Sequence, residues 1–523
     1  MAEIIRFAFI PGGLVGDAAA LQQGFGFQQR HFVHLLRTIV PHVSDRIQCF
    51  LFRCHCEPVR TPVWQSPVEK VERLIMASIL ETYFTSLRGK NVVVLGLGVS
   101  NRPLVRLLLR FGCTVTGCDK TPREKLDAEL LELESLGCKL QVGESYLENL
   151  SADLVFRTPG MHPGNPALEG LRQAGAEVTS EMEIFFELCP CKILAVTGSD
   201  GKTTTTTLIS EMLKAAGKTV WLGGNIGTPL LSKLDDIQAE DYAVVELSSF
   251  QLMDMRRSPS VAVVTNLAPN HLDVHKDMEE YVEAKKNIFR FQGKTDALIL
   301  NADNAITAQL SGNGKTKFFS RKAEGYIHLQ DNIICRGETP VLDTRDIVIP
   351  GVHNIENYMA AIGAVEGLVE DEIIRKVARE FGGVEHRIEL VRVKDGVKFY
   401  NDSIASSPSR TIAGLNSFNQ KVLLIAGGYD KHIPYDPLGP VATDTVKHAI
   451  LLGATANAIE TAIRAHSDLP ITHVSGMEEA VKVAADIAGA GDIVFMSPAS
   501  ASFDMYKNFE ERGNHFKSIV NSL

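Results

Sequence analysis

A lysine, a run of threonines and two glycines come together in "TGSDGKTT", residues 197–204, directly after an apolar stretch. Gly198 and Gly201 fall where a strand should turn into a helix, and Lys202 and Thr203 open that helix. Successive backbone N–H groups in such a turn form a nest for an anion at the positive end of the helix dipole. A lysine there can reach terminal phosphates, and a threonine hydroxyl can ligate Mg2+. Val196 stands where a full phosphate loop has its first glycine, so this is a shortened loop or, on the plainer reading, an ordinary glycine turn.

Other residues could serve the same chemistry. Glu246 ends the apolar run "YAVVE", which suits a Mg2+ ligand or an exposed strand-end carboxylate. His271 and Asp273 follow the next run, where the histidine could bind metal, bind substrate or do neither. Lys285 lies in the helical pattern "EEYVEAKKNIF" and reads by itself as a solvated lysine. Asn354 and Asn357 are three apart on one helix face, fit to read a base edge or to cap and pack. Arg387 in "VEHRIE" sits at a domain boundary. A first glycine turn, Gly96 to Asn101, lacks the third glycine of the dinucleotide fingerprint. Asp119 follows about 20 residues on, where a ribose-binding acid belongs.

The elements that must position these residues are α/β throughout. Apolar β-rich runs alternate with helical patterns from Lys90 onward, which predicts three Rossmann-like domains with mainly parallel sheets. The boundaries read as 76–190, 191–384 and 385–523. In the last of these, Asp395-Gly396 predicts the turn of a hairpin. Residues 1–75 hold seven arginines and one lysine, with no sustained period. They read as an extension, either from a misplaced start codon, the preferred alternative, or as a poorly ordered appendage. A net charge of −10 argues against a general nucleic-acid binder, and no apolar run is long enough to span a membrane. Nine scattered cysteines suit a reduced, cytoplasmic setting. Cys54-His55-Cys56 and Cys189-Pro190-Cys191 are too close-set and isolated for a zinc site, and read as ordinary thiols.

Taken in order, "TGSDGKTT", "GGNIGTPL", "ELSSFQL", "NLAPNHLD", "YVEAK", "GVHNIEN", "EHR", "NDSIASSP", "GGYDK" and "SPASASFDMYKNFEERGNHF" resemble the motifs of the Mur ligases. The likeness runs from about residue 90 to the C-terminus. The last motif is that of the D-glutamate-adding branch, and the "DNPR" of the diaminopimelate- or lysine-adding relatives is absent. The resemblance implies a UDP-binding N-terminal domain, a central phosphate-loop ATPase and a C-terminal domain resembling a dinucleotide fold. It implies ATP-dependent addition of D-glutamate to UDP-N-acetylmuramoyl-L-alanine through an acyl phosphate, by a monomer working in peptidoglycan precursor synthesis.

Carried over by position, the resemblance gives Gly198, Ser199, Asp200, Gly201, Lys202, Thr203 and Thr204 to the ATP phosphates. Asn354, Asn357, Arg387 and Asp402 would surround the rest of the nucleotide. Thr203, Glu246, His271 and Lys285 would hold Mg2+, Lys285 as a CO2-derived carbamate, and His271 could instead meet the acyl substrate. Val99, Ser100, Asp119 and Lys120 would border the uridine diphosphate, with Thr158 nearby and Asn225 on the muramoyl group. Lys431, Ser502 and Phe509 would contact D-glutamate. Two departures stand out: Asn270 replaces an aspartate common beside the histidine, and Ile404 replaces a lysine that some members have near the glutamate site.

Overall fold

The computed structural model describes residues 81–523, apart from 272–273 and 324. The extension 1–75, the Cys54–Cys56 cluster and Asp273 lie outside the described residues.

Three sheets follow one another along the chain. The first is wholly parallel, in spatial order Lys139–Val142, Thr114–Asp119, Asn91–Leu95, Leu154–Phe156, Glu177–Thr179. Strands covered on both faces need continuous apolar runs, and "VVVL" at 92–95 is buried throughout. Helix Asn101–Arg110 packs on the sheet through Leu104, Val105, Leu107 and Leu108, the three-and-four spacing of one helix face. Chain order reverses between Asn91–Leu95 and Leu154–Phe156, and ligands of open parallel sheets sit outside the carboxyl ends at such a switch. The glycine turn after Leu95 lies there, with Thr158 pressed against Gly96, where any Cβ would collide with it.

The central sheet has nine strands. Its inner strand Lys192–Thr197 is flanked in parallel by Tyr242–Glu246 and Val261–Val264. The phosphate-loop turn, Glu246 and Thr265 therefore emerge side by side at one sheet end. At the far edge, Ile333–Arg336 and Thr339–Asp343 add antiparallel strands.

In the third sheet, Val397–Asn401, Ile493–Met496 and Val422–Gly427 are parallel neighbours. Their carboxyl ends carry Asp402, the 497–502 loop and the 428–431 loop to one place. The expected hairpin is present: Glu389–Lys394 pairs antiparallel with Val397–Asn401, with Lys394 opposite Val397. Asp395 and Gly396 both have positive φ (50° and 79°), as a two-residue type I′ turn requires.

Candidate active site

Helix Lys202–Ala215 begins at Gly201, whose φ of 78° and lack of a side chain leave the helix without a side-chain cap. A Cβ on Gly201 would strike the Asn357 amide, and one on Gly198 the Thr265 hydroxyl. Six other described α-helices are capped by the side chains of Asp127, Asn165, Ser180, Ser248, Asp277 and Asn508. Here the first helical bond runs from Thr205 N–H to the Gly201 carbonyl. The N–H groups of Gly201, Lys202, Thr203 and Thr204 thus point past the helix end without a backbone acceptor, the arrangement that holds phosphate. The loop itself is braced from the neighbouring strand: Asn266 accepts from Ser199 N–H and Asp200 N–H, and Thr265 Oγ1 donates to the Asp200 carbonyl at 2.6 Å.

The five threonines divide their work. Thr206 and Thr207 return their hydroxyls to the carbonyls four residues back, both at 2.8 Å. Thr205 is buried and meets Asn357 at 3.3 Å. Thr203 and Thr204 stay half-buried at the helix mouth.

Two lysines converge on the same turn. Lys202 Nζ curls back to the carbonyls of Gly198 (3.0 Å) and Ser199 (2.9 Å). Lys285, read from sequence as solvated, is buried at 2 % exposure. Its Nζ donates to Thr197 Oγ1 at 3.1 Å and the Gly198 carbonyl at 2.9 Å, and lies 4.9 Å from the Tyr281 ring centre. Burial first, then the neighbouring Lys202 charge, holds Lys285 well below the ordinary lysine range. Burial lowers Lys202 as well, against the pull of Glu246 and Asp200.

Glu246 is buried on the other side of the loop. Its Oε1 accepts from Asn225 Nδ2 at 2.7 Å, while Oε2 has no hydrogen-bond partner. A buried carboxylate oxygen with no donor is costly unless a cation or ligand meets it. His271 is exposed, with φ 55°, and its ring packs edge-on against Phe250 at 5.0 Å. His275 is the buried histidine of this region; it stacks on Phe250 and bonds the Ser249 hydroxyl at 2.9 Å.

Asn354 and Asn357 use their amides within the fold. Asn357 Nδ2 donates to Asn354 Oδ1 (2.9 Å) and Asn354 Nδ2 to the Pro350 carbonyl (2.6 Å), which seats their helix against the loop. Arg387 is exposed between two left-handed residues, His386 (φ 62°) and Ile388 (φ 44°), near enough for its charge to bear on Lys202. Asp402 is buried, accepting from Ser497 Oγ at 2.8 Å and Ile388 N–H at 3.2 Å, and burial pushes its carboxyl up to about 7.

At the first sheet, both Asp119 oxygens are engaged by the chain itself: Oδ2 by Leu97 N–H (2.8 Å), Oδ1 by Thr121 N–H (2.9 Å) and its hydroxyl (2.8 Å). Asp119 therefore fixes the glycine turn. Asn101, in the place of the missing third glycine, donates to the carbonyls of Leu95 (3.3 Å) and Gly96 (2.8 Å). Val99 and Lys120 are exposed, and Ser100 is half-buried at the helix start.

At the third sheet, Lys431 is exposed, Ser502 buried and Phe509 half-buried. Arg512, which sequence reasoning passed over, is 1 % exposed and gathers the surrounding loops. It donates to the Ser403 hydroxyl and carbonyl and to the carbonyls of Ser500 and Ala501, at 2.9–3.1 Å.

Arg157 was missed too. Its guanidinium is fully buried and holds the carbonyls of Thr158 and Met161 in its own loop. It also donates to the Phe250 carbonyl (3.1 Å) and to both oxygens of Asp254 (2.5 and 3.0 Å) beyond Glu246. Tyr281, one turn before Lys285 on the same helix face, bonds the Ser199 hydroxyl at 2.9 Å. That spacing was the signal available for it.

Residues 196–365 match the family model for the Mur ligase middle domain, and residues 386–500 that for the Mur ligase glutamate ligase domain. The chain is 56 % identical over 464 residues to the UDP-N-acetylmuramoylalanine–D-glutamate ligase of Acetivibrio thermocellus, covering 86 % of this chain and 100 % of that protein. It is 51 % identical over 464 residues to the enzyme of the same name from Ruminiclostridium cellulolyticum, with the same coverage. Among solved structures, the UDP-N-acetylmuramate-alanine ligase of Thermotoga maritima shares the fold (TM-score 0.51, 18 % identity, 83 % of this chain and 99 % of that one). So does MurF from Acinetobacter baumannii (TM-score 0.51, 16 % identity, 85 % and 97 %).

Proposed function

This chain belongs to the Mur ligase family, and we propose that the site at the carboxyl end of its central sheet carries out the ligation in two steps, phosphoryl transfer and then amide formation. The protein is an ATP-dependent ligase that adds D-glutamate to UDP-N-acetylmuramoyl-L-alanine in peptidoglycan precursor synthesis. The acceptor's terminal carboxylate attacks the γ-phosphorus of ATP and ADP leaves, giving an acyl phosphate. The neutral amine of D-glutamate adds to that carbonyl, and the tetrahedral intermediate collapses to the amide with loss of phosphate. A carboxylate is a poor electrophile, so the protein's task is to position the reactants and to neutralise charge on the transferred phosphoryl.

The four unpaired N–H groups of residues 201–204 receive the phosphates, and Lys202 swings from its loop carbonyls onto them. This uncapped helix mouth, at the same sheet end as a buried carboxylate oxygen with no partner, is the observation that carries the proposal. Mg2+, when bound, would supply charge neutralisation between the phosphates, and the residues present fit it: Thr203, Glu246 through its free oxygen, His271, and Lys285 as a carbamate. The fit of Lys285 rests on its burial, which favours the neutral amine that attacks CO2. Asn354, Asn357, Arg387 and Asp402 border the nucleoside side. Val99, Ser100, Asp119, Lys120 and Thr158 shape the uridine diphosphate site at the first sheet's switch point, and Asn225 holds the muramoyl group. Lys431, Ser502 and Phe509 take D-glutamate. The units 76–190, 191–384 and 385–523 correspond to these three duties, in a cytoplasmic monomer. Among the described residues no helix is long and apolar enough to cross a membrane.

The test is phosphate release from ATP, measured with each substrate omitted in turn. Release should require both the UDP-linked acceptor and D-glutamate. Steady release without D-glutamate, or equal release with L-glutamate, would overturn the assignment.

A further inference from the structure

Cys189-Pro190-Cys191 occupies the join between helix Glu181–Leu188, the last element of the first sheet's unit, and Lys192–Thr197, the strand that feeds the phosphate loop. Cys189 caps the helix, its N–H bonded to the Phe185 carbonyl at 2.9 Å, and is half-buried. Cys191 is buried. Both are free thiols, and their Sγ atoms lie 3.5 Å apart. Pro190 restricts the backbone between them, so the two sulfurs are held in contact by a short, stiff connection. Among the described residues no group of three or more His, Cys, Asp or Glu placed to hold a metal includes them. The pair is nevertheless arranged for a two-sulfur reaction.

We propose that Cys189 and Cys191 form a reversible dithiol–disulfide pair that reacts with low-molecular-weight disulfides, Cys189 attacking and Cys191 resolving. The Cys189 thiolate attacks one sulfur of R–S–S–R, forming a mixed disulfide and releasing one thiolate. Cys191 then gives up its proton and attacks the Cys189 sulfur, displacing the second thiolate. The protein loses two electrons and two protons, and the reagent is reduced to two thiols. Closure needs the sulfurs to move from 3.5 Å to about 2 Å.

The division of roles follows from exposure and charge. Cys191 hydrogen-bonds to Cys189, which holds the Cys189 thiol below the ordinary range and pushes Cys191 up; Asp241 faces both and opposes either ionisation. Burial pushes the Cys118 thiol up to about 12 and Cys138 up to about 11, and raises Cys113. These three make internal controls. A ring with a single residue between its cysteines is strained, and strained disulfides are the easily reduced, labile ones.

The test uses the full chain with Cys49, Cys54 and Cys56 changed to serine, treated with oxidised glutathione and mapped by peptide mass. Cys189 should be modified at least ~10-fold faster than Cys113, Cys118, Cys138 or Cys335. The product should be a 189–191 peptide lacking two hydrogens and carrying no glutathione, restored by dithiothreitol. Cys191→Ser should stop at a stable glutathione adduct on Cys189, and Cys189→Ser should react at least ~10-fold more slowly at Cys191. Melting temperatures measured alongside identify any variant that has unfolded, and Cys191→Ala then carries the same expectation. A persistent adduct on Cys189 in the otherwise native chain, or uniform rates at every cysteine, overturns the proposal.

Discussion

At the carboxyl end of the central sheet, Lys202, Lys285 and Glu246 are each gripped by the protein, whereas at the carboxyl end of the third sheet Lys431 stands in solvent. The two lysines of the central site share the Gly198 carbonyl, and Glu246 is clasped on one oxygen by Asn225. At the third sheet the buried cation is Arg512, engaged by backbone carbonyls, and the buried acid is Asp402, held by a serine and a peptide N–H. Burial works in opposite directions on the two kinds of group, lowering the lysines and raising the aspartate, and in each case it disfavours the charged form. In the proposed function the central site offers phosphate the fixed N–H groups of residues 201–204, and the third sheet presents a scaffold around a solvent-exposed cation. Preorganisation raises the rate, since donors fixed beforehand need no rearrangement when charge develops; an exposed lysine contributes mainly to capture.

The comparison can be broken at its strong end first. Lys202→Ala should lower turnover about 1,000-fold, on the order of 4 kcal/mol, because the loss falls on the transferring phosphoryl. Binding of the UDP-linked substrate, measured by calorimetry, should change by less than about threefold. Equal loss of both would show that the two nucleotide sites are not separate.

The next effect is on stability. The folded Asp402 carboxyl at about 7 lies above its ordinary value of 3.8. Below the ordinary value both states are protonated and nothing is lost. Between the two values the unfolded chain has released its proton and the native one has not, so stability falls as pH rises, and the full penalty is reached above about 7. Asp402→Asn should therefore unfold in urea like the parent near pH 4 and be more stable by on the order of 2 kcal/mol at pH 8. A variant difference that is constant with pH would show that Asp402 is charged in the native protein.

Capture at the third sheet should be weaker to disturb. Lys431→Ala should raise the Michaelis constant for D-glutamate at least ~10-fold, about 1.4 kcal/mol, with ATP little affected. Steady-state kinetics with each substrate varied would reveal an unchanged glutamate constant if other groups hold its carboxylates. Ser502→Ala should do less, within about 0.5–1.5 kcal/mol, as befits one neutral hydrogen bond. A larger effect than that of Lys431→Ala would reverse the contrast between the two groups.

The phosphate loop was legible because its chemistry is local: strand, glycine turn and helix start lie within a dozen residues. The parallel sheets were legible for a similar reason, since strands covered on both faces must be apolar throughout. What the residues alone did not disclose depends on distant partners. Lys285 reads as solvated in its own helix and becomes buried only because Thr197 and Gly198 come to meet it from the strand. Asp119 sits where a ribose acid belongs, yet one oxygen is taken by Leu97 of the glycine turn and the other by Thr121. Arg157 and Arg512 carry no motif signal of their own, because carbonyls from separate loops make their sites. His271 was singled out and His275 was not, and four residues along one loop decide which ring is buried.

Arg157 has a mechanical consequence. One guanidinium donates at once to the 158–161 loop of the first sheet and to Phe250 and Asp254 of the central unit. Rotating the first unit against the central one must pull a buried charge from its partners, a loss of about 3–5 kcal/mol. Hinge motion is accordingly least costly elsewhere. At the passage into the third sheet, by contrast, no such buried guanidinium is found among the described residues, and Arg387 lies exposed between the left-handed His386 and Ile388. The first and central units should then move as one body.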